Sequence, residues 1–406
     1  MRNNYSIRNF RVFGNDGIQI YLRPITILTG TNSSGKSSIV KSLVLLSGFL
    51  ANIHNDKLNN QPIRLHKYKL DFSRKPNNLL GSFRKIRHRS AAQEQPITFS
   101  YDVFCPTLQQ QVRVTLDFND RNDTSSNDGY LTGMSIENQK GEIIVSTREP
   151  DLMQTVPNGQ QIIEEVMTQD ITDSLAYISS SIINVKRLYP LELDDEFTQN
   201  LRAYLRARSN PQRADYEPDT FMNYWVKQFN IGEKICVETD AEQLGATVRL
   251  LMPGEKRGAV LADFGYGITQ MFAIMVRIEQ AILENKPSTI AIEEPEIHLH
   301  PRFQSMLAEM FVDAYKKYGI QFILETHSEY LVRKMQTLVA QEIVAPHDVA
   351  LVYVYDANPE KRPLYTPQIK QIEIAKDGRL TDTMGTGFLD EANNLSIDLL
   401  RAMREE

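Results

Sequence analysis

Gly30-Thr31-Asn32-Ser33-Ser34-Gly35-Lys36-Ser37 decides the fold. It follows the apolar, β-branched run Ile20–Leu28, which reads as a strand, and leads into Ser38-Ile39-Val40-Lys41-Ser42-Leu43-Val44-Leu45-Leu46, which reads as a helix. Strand, loop and helix in that order give the pattern G-x-x-x-x-G-K-S its meaning. The glycines let the backbone curl until its N–H groups point at phosphate oxygens, and the helix start adds a fixed positive dipole end. Lys36 supplies a point charge for the β- and γ-phosphates, and the Ser37 hydroxyl a ligand for magnesium. The expected ligand is ATP with Mg2+, held by Gly30, Thr31, Asn32, Ser33, Ser34, Gly35, Lys36, Ser37 and Ser38.

The second half carries the chemistry such a loop needs. Thr289-Ile290-Ala291-Ile292 reads as a buried parallel strand, and Glu293-Glu294-Pro295-Glu296 stands at its carboxyl end, where α/β sheets place their ligands. Adjacent acids there need a partner, since lone buried charge is costly. Glu293 is expected to hold the magnesium ion, through water, and Glu294 to orient or deprotonate the attacking water. A further strand, Gln321–Glu325, ends in Thr326-His327-Ser328, which puts His327 in reach of a γ-phosphate. Ser328 beside His327 invites a hydrolase reading, but no G-x-S-x-G elbow exists. His298 and His300 lack the further His or Cys that a metal site requires.

Asp263-Phe264-Gly265-Tyr266-Gly267-Ile268-Thr269-Gln270 opens a helix with apolar residues at 268, 271, 272, 275, 278 and 282, a 3.6-residue stripe. A glycine-rich start of this kind is a second anion-binding device. The chain already has a loop for its own nucleotide, so Gly265, Gly267, Thr269 and Gln270 are expected to read the nucleotide of another copy. That makes the expected assembly a dimer of identical heads, or a higher oligomer.

These segments, in this order, resemble the head of an ABC-type ATPase, and within that group the bacterial SMC/RecF/OLD-like branch. Glu293–Pro301 resembles its Walker B and D-loop, Asp263–Gln270 its variant signature, and Thr326-His327-Ser328 its switch histidine; the opening Ile7-Arg8-Asn9-Phe10-Arg11 also fits. Leu80-Gly81-Ser82-Phe83 and the tail from Ile372 to Glu391 resemble small bacterial AAA family ATPases with a short C-terminal domain, often similar to the ATPase halves of anti-phage defence pairs. Thr269 stands where the branch commonly has serine, and Met384-Gly385-Thr386 where that subgroup tends to Trp-Pro. The resemblance implies an α/β fold: a P-loop core with an antiparallel β lobe. It further implies ATP hydrolysis and a switch that controls a separate effector protein.

The domain reading follows: a discontinuous head over 1–150 and 235–406, a mainly helical insertion over 151–234, and a family-specific tail within 350–406. Strands are expected at Ile97–Cys105, Gln111–Phe118, Leu131–Glu137 and Ile143–Thr147; helices at Gln160–Met167, Asp195–Arg208 and Phe221–Phe229. No sustained heptad marks a long coiled coil. About fifty residues follow Val354, fewer than an appended nuclease needs, so the effector is expected in another chain.

Bulk properties set the remaining bounds. The 406 residues are 41% hydrophobic and 24% charged, with net charge −6, which argues against a protein that coats nucleic acid by charge alone. The segment from Arg64 to Arg89 is nonetheless strongly basic and is a candidate contact for DNA, RNA or an acidic partner. This keeps a RecF-like role in DNA repair or chromosome maintenance as the alternative. A transporter subunit would want the signature Leu-Ser-Gly-Gly-Gln, which is missing. Cys105 and Cys236 are far apart and read as core or strand residues in a reducing compartment. The start lacks a secretory stretch, and Ile39–Ile53 is interrupted by polar residues, so the expected setting is cytoplasmic, with no membrane span.

Overall fold

The run expected as one strand over Ile20–Leu28 is two strands, Ile18–Leu22 and Ile25–Gly30. Pro24 lacks the N–H that a ladder needs. The Thr26 hydroxyl accepts from the Arg23 N–H and donates to the Arg23 carbonyl, both at 2.9 Å, which turns the chain between them. Two halves of one apolar run thus serve two different sheets.

The computed structural model describes all residues except 1–2, 60–64, 73–79, 93, 121–127, 148–157, 170–173, 181–185, 194, 209–219, 241, 243, 256, 365, 386–387 and 404–406. In chain order the strands are β1 (Asn3–Arg8), β2 (Ile18–Leu22), β3 (Ile25–Gly30), β4 (Lys69–Leu70), β5 (Ile97–Cys105), β6 (Gln110–Asn119), β7 (Gly129–Glu137) and β8 (Ile143–Ser146). There follow β9 (Leu175–Ile178), β10 (Tyr189–Pro190), β11 (Lys234–Thr239), β12 (Gly245–Leu251), β13 (Ala259–Val260), β14 (Thr289–Glu293), β15 (Gln321–Glu325), β16 (Val349–Val354) and β17 (Ile369–Ile372). The helices are α1 (Lys36–Leu58), α2 (Phe83–Ile86), α3 (Gly159–Met167), α4 (Glu196–Arg208), α5 (Phe221–Gln228), α6 (Tyr266–Glu284), α7 (Pro301–Tyr318), α8 (Glu329–Ala340) and α9 (Glu391–Ala402). They form two compact units, one of Met1–Ala176, His347–Glu373 and Thr381–Glu406, the other of Tyr177–Pro346 and Ile374–Leu380.

In the first unit, an antiparallel sheet runs β2-β1-β5-β6-β7-β4, with β8 on β7. Its register follows from alternation: Ile97, Phe99, Tyr101, Val103 and Cys105 of β5 are buried while the residues between them are not. The strands expected here appear within two residues of their expected ends. The core helix α1 lays Phe49 edge-on against Phe118 at 4.9 Å, and Phe118 meets Phe99 at 5.7 Å. By length and composition α1 is the one helix among the described residues that could cross a membrane, yet 61% of its apolar window is buried inside the protein. Strands β3 and β16 pair in parallel and are buried at every position, as parallel strands covered on both faces are. Phe388 of the tail packs on Tyr353 of β16 at 6.4 Å; Thr386 and Gly387 lie outside the described residues.

In the second unit, β14 and β15 pair in parallel, and β11 pairs antiparallel with β12, whose other side takes both β10 and β13. The three helices expected over 160–229 appear as α3 in the first unit and α4 and α5 in the second. Helix α5 is tied on three sides. Its Met222 N–H donates to Glu279 of α6 at 3.0 Å, its Asn223 side chain accepts from Ile235 N–H of β11 at 3.0 Å, and the Trp225 indole N–H donates to Asp313 of α7 at 3.1 Å. Cys105 lies buried on β5, and Cys236 is half-buried on β11.

Candidate active site

The phosphate loop lies in the first unit, between the end of β3 and the start of α1. Two glycines shape it. Gly30 has φ 134° and stands so close to β16 that a Cβ would lie 2.1 Å from the Val354 carbonyl oxygen. Gly35 has φ 116° and caps α1, with Val12 and Phe13 within 2.8 Å of where its Cβ would be. Ser33 adds a third left-handed residue at φ 59°. Gly30→Ala must therefore move backbone, not a flexible tip, and is expected to cost at least ~2 kcal/mol of stability, read as a lowered denaturant midpoint.

Within this curl Lys36 is 3% exposed, and its ammonium donates to the carbonyls of Gly30 at 3.1 Å and Thr31 at 2.6 Å. The cation is thus folded back over the loop. Ser34 is fully buried with its hydroxyl oxygen lacking a hydrogen-bond partner, while Thr31, Asn32 and Ser33 face solvent. No acidic residue stands in the first turn of α1 to repel an anion. A buried cation, an orphaned hydroxyl, a helix start and a cradle that any Cβ would fill suit the phosphate chain of a nucleotide. Ser37, half-exposed in that first turn, has the hydroxyl a magnesium ion would take.

The acids lie in the second unit. All five residues of β14 are buried, and its last, Glu293, stands in register with Glu325 at the end of β15. Glu293 is 6% exposed. Glu294 leaves the strand with φ 47°, its N–H donating to the Glu325 carbonyl at 2.8 Å, so the chain turns sharply and sets the Glu294 side chain half-exposed. His327 is exposed just past β15, and its N–H donates to Glu296 Oε1 at 2.6 Å. Burial pushes the Glu296 carboxyl above the usual carboxylate range, against the lowering pull of that N–H. Ser328 caps α8 by accepting from Leu331 N–H at 3.1 Å, which gives its hydroxyl a structural role. His300 likewise caps α7, accepting from Arg302 N–H.

The glycine-rich start of α6 is more closed than its sequence suggests. Gly265 is exposed with open space around it, and Tyr266 is 63% exposed. Gly267 is buried, and a Cβ there would lie 2.5 Å from the His298 carbonyl oxygen. Thr269 is fully buried with its hydroxyl donating to the Gly265 carbonyl at 3.3 Å, and Gln270 is 1% exposed. What this helix presents outward is its Gly265–Tyr266 edge. Thr269 ties back to Gly265, and Gly267 and Gln270 are buried behind that edge.

The sequence model of the family described as "AAA domain, putative AbiEii toxin, Type IV TA system" matches residues 25–333, from the strand before the phosphate loop to beyond His327. The chain belongs to this AAA family. It is a P-loop α/β protein with an antiparallel lobe, the fold expected from its motifs. Solved structures similar to this AAA protein include an SMC head bound to the C-terminal winged-helix domain of ScpA. That structure is 12% identical, with TM-score 0.48, and the match covers 91% of this chain and 98% of that one. The SMC head domain from Thermotoga maritima is 13% identical over 88% of this chain and 97% of its own, with TM-score 0.40. An SMC head with an extended coiled coil, bound to a ScpA domain derived from Pyrococcus furiosus, is 12% identical over 98% of both chains, with TM-score 0.42. Such low scores transfer none of those proteins' partners. No curated protein matches the chain.

In this AAA protein the basic segment 64–89 is partly neutralised. Arg64, Arg74 and Lys75 fall outside the described residues. Of the rest, Lys69 pairs with Asp128 at 2.5 Å, and Arg84 and Arg87 both pair with Asp120, at 2.9 and 3.2 Å. Those pairs hold α2 and Arg87 to Asp120, just past β6, and β4 to Asp128, just before β7.

Proposed function

We propose that the chain is an ATP-driven switch that binds and hydrolyses ATP with Mg2+, works as a pair of identical heads, and controls a separate effector protein in anti-phage defence. The observation that carries this reading is the pairing of motifs in one chain: a single phosphate loop with a buried lysine, and a second helix start whose only open edge is Gly265–Tyr266. Lys36 binds the β- and γ-phosphates. Ser37, and Glu293 through water, would hold a magnesium ion, which would supply positive charge beside the transferred phosphoryl group. Glu294 orients the attacking water and accepts its proton, and His327 contacts the γ-phosphate. Gly265 of one head lies against the nucleotide held by Lys36 of the other. The family's description, which names a toxin–antitoxin system, supports the defence setting.

Mixing two inactive variants tests the paired heads. Lys36→Ala removes the cation, and Gly265→Asp sets a negative side chain where a partner's γ-phosphate would sit. Gly265, with φ −67° and open space, accepts a side chain without strain; Gly267 would not. Each variant alone is expected to lose at least ~100-fold in turnover, the usual cost of losing charge stabilisation in a transition state. A mixed dimer contains one site with both halves intact, so hydrolysis returns in part on mixing. Rates that stay at the single-variant level, with mixed dimers seen by native mass spectrometry, would show each head to be self-contained.

A further inference from the structure

The loop after β14 and the loop after β15 are cross-linked by side chains that none of these roles uses. Glu296, 8% exposed, accepts the His327 N–H on Oε1 at 2.6 Å. Gln304, in the first turn of α7, makes the second link: its Nε2 donates to the Leu299 carbonyl at 2.9 Å, and its Oε1 accepts from the Ser328 hydroxyl at 2.6 Å. His327 is therefore bracketed, on its own amide and at the next residue. At the far end of the same loop, Leu299 and His298 lie on Gly267, and the His298 ring packs against Tyr266 at 5.9 Å. The open start of α6, the loop 294–300 and His327 form one continuous contact path inside the second unit.

Glu296 gathers two groups of the segment after β15, the His327 N–H and the Thr326 side chain, at the cost of burying a carboxyl group. What its reach adds is a short bond, 2.6 Å, that ties the His327 amide to the loop after β14. Thr326 to Ser328 belong to neither β15 nor α8, so the direction in which the His327 Cα–Cβ bond leaves the chain depends on how these residues are tied.

We propose that Glu296 is a positioning residue for His327: its carboxylate fixes the histidine's main chain and thereby aims the imidazole at the γ-phosphate. This rests on the reading of the chain as an ATPase with His327 at the phosphate. A displacement of about 1 Å at a reacting group costs ~100-fold in rate, which sets the expected size of the effect. Glu296→Ala lowers kcat by about that factor while KM for ATP stays within about threefold, because binding rests on the phosphate loop. Glu296→Gln, whose Oε1 accepts the same N–H, keeps kcat within about tenfold of the parent protein. The decisive measurement is the cycle with His327→Ala. If Glu296 acts through the histidine, Glu296→Ala costs nothing further once the imidazole is gone. Additive losses, or a Glu296→Gln as slow as Glu296→Ala, would overturn the assignment. Should Glu296→Ala not fold, Gln304→Ala removes the neighbouring link and is read in the same cycle. Glu294→Gln is measured beside them. A parent protein without turnover defeats the ATPase reading, and this inference falls with it. Turnover that Glu294→Gln abolishes and Glu296→Ala leaves at the parent rate defeats the positioning role alone.

Discussion

Glu294→Gln leaves ATP binding within a few-fold of the parent protein and lowers turnover by ~100- to 10,000-fold, the span associated with a lost general base. The substitution is nearly isosteric and keeps the backbone bond from Glu294 N–H to the Glu325 carbonyl, so the turn at φ 47° survives it. Glutamine tolerates that conformation as well as glutamate does, and the half-exposed site adds no burial penalty for an amide. What disappears is the ability to accept a proton from water. Single-turnover hydrolysis alongside equilibrium nucleotide binding separates the two effects. Under the proposed mechanism the variant accumulates an ATP-bound dimer, visible as a shift in mass on adding nucleotide. If Glu293→Gln stops turnover and Glu294→Gln does not, the roles of the two acids are the reverse of those assigned.

Lys36→Ala abolishes tight ATP binding. A charge-assisted hydrogen bond contributes about 1.5–3 kcal/mol, and the lysine is placed to make one to each of two phosphates, so the loss is about 3 kcal/mol or more, ~100-fold or more in Kd. The ammonium also bonds the carbonyls of Gly30 and Thr31, so alanine removes a staple of the loop along with the charge. Lys36→Met separates the two contributions: it keeps the buried stem and loses only the cation. Both variants are expected to fail in isothermal titration with ATP, and Lys36→Met to melt closer to the parent protein. Unchanged affinity in Lys36→Met would remove the loop from the nucleotide site.

The phosphate loop was legible because its constraints are local. Gly30 and Gly35 need left-handed backbone, Lys36 sits in the first turn of a helix, and all of this falls inside eight consecutive residues. Strand identities were legible for the same reason, from the alternation along β5 and the apolar runs of β14 and β15. The reading failed where a local rule competed with the apolar pattern. Between Ile20 and Leu28 hydrophobicity says one strand, while Pro24 forces two. It also fell short where a residue's reason lies far along the chain. Gly267 is required where it stands because its Cβ position is filled by the carbonyl of His298, a reason that lies 31 residues away in the sequence. Glu296 sat within a quoted motif, yet nothing near it in sequence announces a bond to an amide 31 residues on. A carboxylate directly after a proline, in a run already rich in acids, was the one available signal.

Trp225 is the only tryptophan in the chain, 4% exposed, with its indole N–H bonded to Asp313 of the helix that begins just after His300. Phe221, Tyr224 and Phe229 surround the ring. Red-edge excitation, which leaves the tyrosines dark, therefore draws the whole emission of the protein from a single point in the second unit. The molecule carries its own optical gauge, requiring no dye and no engineered cysteine. Any nucleotide-driven shift of α5 against α7 would stretch or break one hydrogen bond to a buried fluorophore, and the colour of its light would change in real time.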